Sequence, residues 1–136
     1  MTTTMTPTRR LGDAVITTGV LHNLLGGYLY RRQLAGMARD GLLNSASDAR
    51  LGTVDGERRH AAFWFLMGGL AFITLGASIR RSATTGEPIA PAVGPGMTVM
   101  GALGAALMPV SGFWLLLAEG LAATYLRRRA PRTVAD

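Results

Sequence analysis

Apolar residues along this chain come in four runs, bounded by arginines or by turn-forming residues. The first, LGDAVITTGVLHNLLGGYLY, covers Leu11 to Tyr30, and the second, HAAFWFLMGGLAFITLGASI, covers His60 to Ile79. Each has 20 residues, which at about 1.5 Å per residue matches the roughly 30 Å hydrocarbon core of a bilayer. A third run starts near Ile89 and passes through VMGALGAALMPV to Val110, and a fourth, FWLLLAEGLAATYL, covers Phe113 to Leu126. The fourth spans only about 21 Å as a helix. Snorkelling by Arg127, Arg128 and Arg129, or local thinning of the bilayer, covers the deficit.

The third and fourth runs meet without a charge between them, in LMPVSGFWLLLAEG. As one helix, Ile89 to Leu126 would be far longer than a membrane requires. Pro109 removes a backbone donor and disfavours helix at Met108, and Ser111 and Gly112 follow as turn formers. The stretch therefore reads as a corner at the membrane surface, with Trp114 placed as an interfacial aromatic. A single Pro-kinked helix is the other reading.

Between the first two runs, RRQLAGMARDGLLNSASDAR places Leu34, Met37, Ala38 and Leu42 at helical spacing. This predicts a short amphipathic helix on the membrane surface, interrupted at Gly41. Ser45 to Gly56 is small and polar and reads as an exposed loop, and RSATTGEPIAP, Arg81 to Pro91, is a second loop. The fold expected is all-α, a single domain over 1–136. It is an integral membrane bundle of four transmembrane helices at about 11–30, 60–79, 89–109 and 112–127, with one short interfacial helix in the first loop.

Composition agrees. Of 136 residues, 49% are hydrophobic and only 16% charged, fewer than a soluble domain of this size carries. There are 18 glycines, a residue commoner in membrane helices than in soluble ones. The chain has no cysteine, which excludes disulfides, thiol chemistry and thiolate metal sites. Its net charge is +6 and all 14 basic residues are arginine. They sit as Arg9–Arg10, Arg31–Arg32, Arg58–Arg59, Arg80–Arg81 and Arg127–Arg129, each group at the end of an apolar run. That brackets membrane helices at the headgroups and is not the single basic face of a nucleic-acid binder. The lipid bilayer is the expected partner, and nucleic acid is not.

The corner carries no arginine, whereas the tail carries Arg127, Arg128, Arg129 and Arg132. This argues for a cytoplasmic C-terminus and, with four spans, a cytoplasmic N-terminus. The inside segments then hold eight arginines and the outer loop six. The first run is expected to be retained rather than cleaved. Asp13, His22 and Asn23 interrupt it, and it ends in Tyr28 and Tyr30 instead of small residues.

Lipid gives helices no hydrophobic reason to associate, so small residues that let backbones approach matter. Gly101 with Ala105, Ala102 with Ala106 and Ala118 with Ala122 are so spaced, and the second run has Gly68, Gly69 and Gly76. These faces suit a tight bundle or a homo-oligomer.

Few polar side chains lie inside the runs. The threonines and serines can bond their own helix backbone, Asp13 lies near a span end, and His60 belongs at the interface. His22, Asn23 and Glu119 are left. In the four-span topology His22 and Glu119 fall at similar depth, where an isolated charge is costly and a carboxylate must be paired, protonated or wet. They could pair beside Asn23 around a small polar cavity, relaying protons or orienting a ligand. The plainer alternative is a neutral Glu119, bonded to a helix neighbour or snorkelling toward the tail arginines. Asp40 and Asn44, in the loop, complete the set of candidates for catalysis. His22 and His60 are the only histidines and lie at different depths, roughly 10 Å apart along the normal. Bis-histidine haem is therefore not expected, and no metal or other cofactor is. No phosphate loop or nucleophile elbow is present.

GVLHNLLGG in the first run, ARDGLLNS in the loop, AAFWFLMGGL in the second run and LMPVSGFWLLL at the corner resemble a family of small bacterial four-span membrane proteins, catalogued as a domain of unknown function. The resemblance covers about Leu11 to Arg129 and is carried by His22, Arg39, Asp40, Asn44, Trp64, Pro109 and Trp114. It implies four spans in a bacterial cytoplasmic membrane and brings no activity. Glu119 is not among the matching residues.

Two function classes follow. One is a small membrane protein without established catalysis, an accessory or ligand-binding bundle. The other is a proton-coupled transporter or membrane enzyme acting on a lipid-soluble molecule through His22 and Glu119.

Overall fold

The computed structural model describes residues 5–46 and 52–130. Among them are five helices and no strand: α1 Met5–Leu29, α2 Arg31–Arg39, α3 Val54–Thr85, α4 Val93–Leu107 and α5 Phe113–Arg129. The chain divides into two compact units, Thr17–Ile73 and Met1–Ile16 with Thr74–Asp136, and α1 and α3 run through both.

Each helix end has a local cause. The Tyr30 N–H still reaches the Gly26 carbonyl, and the Tyr30 carbonyl still accepts from Leu34, so α2 follows α1 after a single non-helical residue. Gly41, at φ +79°, stops α2 in the left-handed region that glycine enters without steric cost. Leu42 thus falls outside the helix that the spacing assigns it to. The Thr53 hydroxyl caps α3 by accepting from the Gly56 N–H at 3.1 Å, and Asp55 and Glu57 suit the positive end of the helix dipole. Helix α3 therefore begins six residues before the apolar run starting at His60. It continues past Ile79 until Thr84 and Thr85 donate to the Arg81 carbonyl and Gly86 turns the chain.

Helix α4 starts at Val93, not at Ile89, because Pro88 and Pro91 keep the chain out of helix ahead of it. Pro95 is accommodated in the first turn, where its missing N–H has no intrahelical partner to lose. Leu107 ends α4 and Phe113 begins α5, so Pro109 to Gly112 is a corner. There Trp114 donates its indole N–H to the Pro109 carbonyl at 3.0 Å, and Ser111 donates to the Met108 carbonyl. Arginines 127, 128 and 129 fill the last turn of α5 and complement its negative end.

Among the described residues, α3 alone is both long and apolar enough to cross a membrane, and α4 is a shorter apolar helix. Within the first loop, the exposed stretch expected from Ser45 to Gly56 is shorter than the sequence suggests. Ser45 is buried and donates to the Leu42 carbonyl, and Gly56 is buried inside α3. Residues 47–51 of that stretch, with Asp48 and Arg50, lie outside the described residues, as does Arg132 of the tail.

Small residues meet at the helix contacts. In the unit holding Met1–Ile16 and Thr74–Asp136, α1 crosses α3 at Gly12 and Gly76. A Cβ on Gly12 would come within 2.9 Å of the Gly76 carbonyl oxygen, and one on Gly76 within 2.8 Å of the Gly12 carbonyl. In the same unit α4 and α5 form a hairpin whose glycines leave no room for a Cβ. Gly101 faces the Leu117 backbone, Gly94 faces Thr124, the Phe113 ring covers Gly104, and a Cβ on Gly120 would lie 2.5 Å from the Thr98 nitrogen. In the Thr17–Ile73 unit, a Cβ on Gly19 would come within 2.7 Å of the Gly69 carbonyl, and Phe65 closes over Gly26. Val15, Ile79 and Leu116 are fully buried, but many large apolar side chains point the other way: Leu24 is 66% exposed and Leu107 81%, and Leu21, Leu25, Leu103 and Leu115 are exposed as well.

Gly101→Val should drive a side chain into the Leu117 backbone and lower stability by about 3 kcal/mol, the upper end for overpacking. Gly96→Ala in the same helix, with nothing within 4 Å, should be neutral or stabilising by about 0.5 kcal/mol. Thermal unfolding in a mild detergent, read by circular dichroism, compares the two. Equal effects would show that the seam is loosely packed.

Candidate functional site

Of the candidate residues, His22, Asn23, Asp40 and Asn44 belong to the Thr17–Ile73 unit and Glu119 to the other. Each unit has its own polar arrangement.

His22 lies half-buried on α1 against α3. Its Nε2 is 3.0 Å from the Phe65 carbonyl oxygen. A carbonyl only accepts, so Nε2 carries the proton. The imidazole stacks on the Phe65 ring, with centroids 3.9 Å apart and planes 8° from parallel, and meets Phe72 edge-on at 5.9 Å. Two rings and a carbonyl thus fix both its orientation and its tautomer. One residue on, the Asn23 side chain fills the space that a Cβ on Gly69 would occupy. Its Oδ1 is buried with no hydrogen-bond partner among the described residues. Glycine at 69 is what admits it.

Asp40 is part of a charge cluster at the start of α3. Arg59 donates from Nη1 to Asp40 Oδ2 at 2.8 Å and from Nε to Asp55 Oδ2 at 2.7 Å. Its side chain is 8% exposed. The guanidinium lies over Gly36 of α2, where a Cβ would sit 2.9 Å from Nη2. One arginine therefore ties the end of α2 to the first turns of α3. Arg59 precedes the apolar run. The Asp40 hydrogen bond raises its pKa above the ordinary guanidinium value, against an opposing desolvation, with Asp55 adding to the rise. The cluster docks α2 against the start of α3. Arg59 and Phe65 are six residues apart on α3, about 9 Å along the axis, so Asp40 and His22 meet that helix at different levels. Asn44 is exposed and adopts φ +60°, a left-handed conformation that asparagine tolerates better than most residues. Its place in the turn follows from that conformation.

In the other unit Glu119 is buried, 9% exposed, on the face of α5 that also buries Leu116, Gly120 and Ala123. The tail arginines have contacts of their own. Arg127 donates to the Ile89 carbonyl at 2.6 Å, and Arg129 lies 4.6 Å over the Tyr125 ring. Asp13 forms an ion pair with Arg80 at 3.2 Å. His60 accepts the Trp64 indole N–H at 2.9 Å, one helical turn along α3. Among the described residues no group of three or more histidine, cysteine or acidic side chains could hold a metal ion.

The sequence reading missed Arg59, which looks like one more headgroup arginine. The signal available was Gly36, a small residue on α2 that makes room for a guanidinium. It also missed an open cleft in the Thr17–Ile73 unit, lined by Leu29, Tyr30, Gln33, Glu57, Arg58 and Ala61.

A family model described as a family of unknown function (DUF6463) matches residues 6–130. No curated protein and no solved structure matches the chain.

Arg59→Met should release α2 from α3. In hydrogen exchange the α2 amides should lose protection while those of α4 and α5 keep theirs, and full protection of α2 would show that the ion pairs are dispensable. His22→Phe should keep the ring stack and lose the bond to the Phe65 carbonyl, costing about 1 kcal/mol in thermal unfolding. A variant as stable as the parent would remove the hydrogen bond from the account of this contact.

Proposed function

We propose that this chain, which belongs to the DUF6463 family of unknown function, is a small integral membrane protein of four spans that acts as an accessory or ligand-binding bundle rather than a catalyst. One observation carries the reading: glycines line the close helix contacts, while large apolar side chains such as Leu24, Leu25, Leu103 and Leu107 are exposed. A monomer in water rarely shows contiguous apolar patches of this kind, whereas a bilayer takes them up directly. Helix α3 has the length and hydropathy of a span. Helices α4 and α5, with 15 and 17 residues, extend about 22 and 25 Å and fit a locally thinned bilayer.

The corner carries no charge and the tail three consecutive arginines, which favours cytoplasmic termini and places the loop holding α2 and the Pro109–Gly112 corner outside. A location in the cytoplasmic membrane of a bacterium follows from this reading. The small-residue faces also suit association with a second copy. A transporter or enzyme working through His22 and Glu119 is the competing reading. The fixed orientation of His22, stacked and hydrogen-bonded to backbone, favours a packing role for it instead.

The absence of cysteine makes the topology directly testable. Leu43→Cys and Val110→Cys should react with a membrane-impermeant maleimide on intact cells, and Glu87→Cys only after permeabilisation. The reverse pattern would invert the orientation. Labelling of all three in a protein that remains soluble without detergent would refute the membrane assignment.

A further inference from the structure

The cleft at the junction of α1, α2 and α3 lies wholly within the Thr17–Ile73 unit and has a volume of about 420 Å3, within the roughly 300–1,000 Å3 of small-ligand sites. Its lining is mixed. Leu29 and Ala61 are apolar, Tyr30 and Gln33 bring a hydroxyl and an amide, and Glu57 and Arg58 bring opposite charges. Adjacent residues on a helix point about 100° apart, so Glu57 and Arg58 do not satisfy each other. Neither forms an ion pair among the described residues, in contrast to Arg59, which holds two carboxylates. The cleft therefore presents an anion and a cation that both lack a partner there.

A bare anion is attracted by Arg58 and repelled by Glu57, and a bare cation meets the opposite balance. A ligand carrying both charges satisfies both side chains. From this we infer that the cleft binds the zwitterionic headgroup of a phospholipid of the phosphoethanolamine class. Arg58 holds the phosphate and Glu57 the ammonium. The Gln33 carbonyl and the Tyr30 hydroxyl are further acceptors for its N–H groups, which a primary ammonium has and a quaternary one lacks. Leu21, Leu25 and Leu29 recur every four residues on α1, are exposed, and reach the cleft at Leu29, giving the acyl chains an apolar track. Arg58 and Glu57 lie two and three residues ahead of the apolar run that opens at His60, which is headgroup level. The inference rests on the membrane placement proposed above and adds the class of lipid and the residues that select it.

The test is native mass spectrometry of the full chain in mild detergent. Phosphatidylethanolamine, phosphatidylcholine and phosphatidylglycerol with matched acyl chains are added in turn. One phosphatidylethanolamine should be retained about tenfold better than either other lipid. Arg58→Gln should lower that retention about tenfold, and Glu57→Gln should raise phosphatidylglycerol to parity or above. Both side chains are exposed, so both variants should melt as the parent does.

Free phosphoethanolamine should displace the lipid where inorganic phosphate does not; equal displacement by both would make this a plain anion site and overturn the zwitterion. Equal retention of the three lipids, or parental selectivity in both variants, would overturn the cleft. A detergent-dependent protein without lipid selectivity sinks only this inference, whereas a protein soluble without detergent sinks the membrane reading as well.

Discussion

The structure depends on how closely its helices approach. At Gly12 and Gly76, at Gly19 and Gly69, and at Gly101 and Gly120, backbones come so near that a single methyl group would collide with a carbonyl, an amide or a main-chain carbon. Such contacts gain dispersion energy over a long line of atoms and expose Cα–H groups to facing carbonyls. They also fix which face of each helix is inside, because only one face of α1 or α4 is small enough. Leu24, Leu25, Leu103 and Leu107 point away from those contacts. The apolar exterior is thus a consequence of the packing mode as much as of the composition.

That mode also decides where polar chemistry can sit. His22 and Asn23 enter the helix contact only because phenylalanine and glycine on α3 receive them, one as a stacking face and the other as a vacant Cβ position. Both side chains take part in the packing where they stand. Space opens where α1 gives way to α2, beyond the glycine contacts, and the open cleft is found there.

Some of this was legible in the sequence. Pro109, Ser111 and Gly112 specify a corner through local chemistry alone, and α4 and α5 break where those residues say they must. The helix after Tyr30 was readable from its periodicity, although Gly41 stops it before Leu42. The inner faces were harder to see. Gly12, Gly19 and Gly26 recur at seven-residue spacing, as do Gly69 and Gly76, but a period of small residues signals packing only when the partner face is known. The partner is another helix, about 40 residues or more away in sequence. The start of α3 also escaped the hydropathy pattern, since a polar first turn held by Thr53, Asp55 and Glu57 extends a helix without adding to its apolar run.

Two adjacent arginines show the limit most sharply. Arg58 and Arg59 are identical in type and share one Arg–Arg pair before an apolar run, so the sequence gives them one meaning. Helical geometry separates them by about 100° around α3. Arg59 turns toward Gly36 and meets Asp40, 19 residues back, and Asp55, one turn back. Arg58 turns into the cleft beside Glu57. The first is held by carboxylates of its own chain and fixes α2 against α3. The second, kept in place by that same docking, is left to face whatever lies outside. A structural arginine and a recognition arginine can therefore be neighbours, told apart only by what the fold brings opposite each.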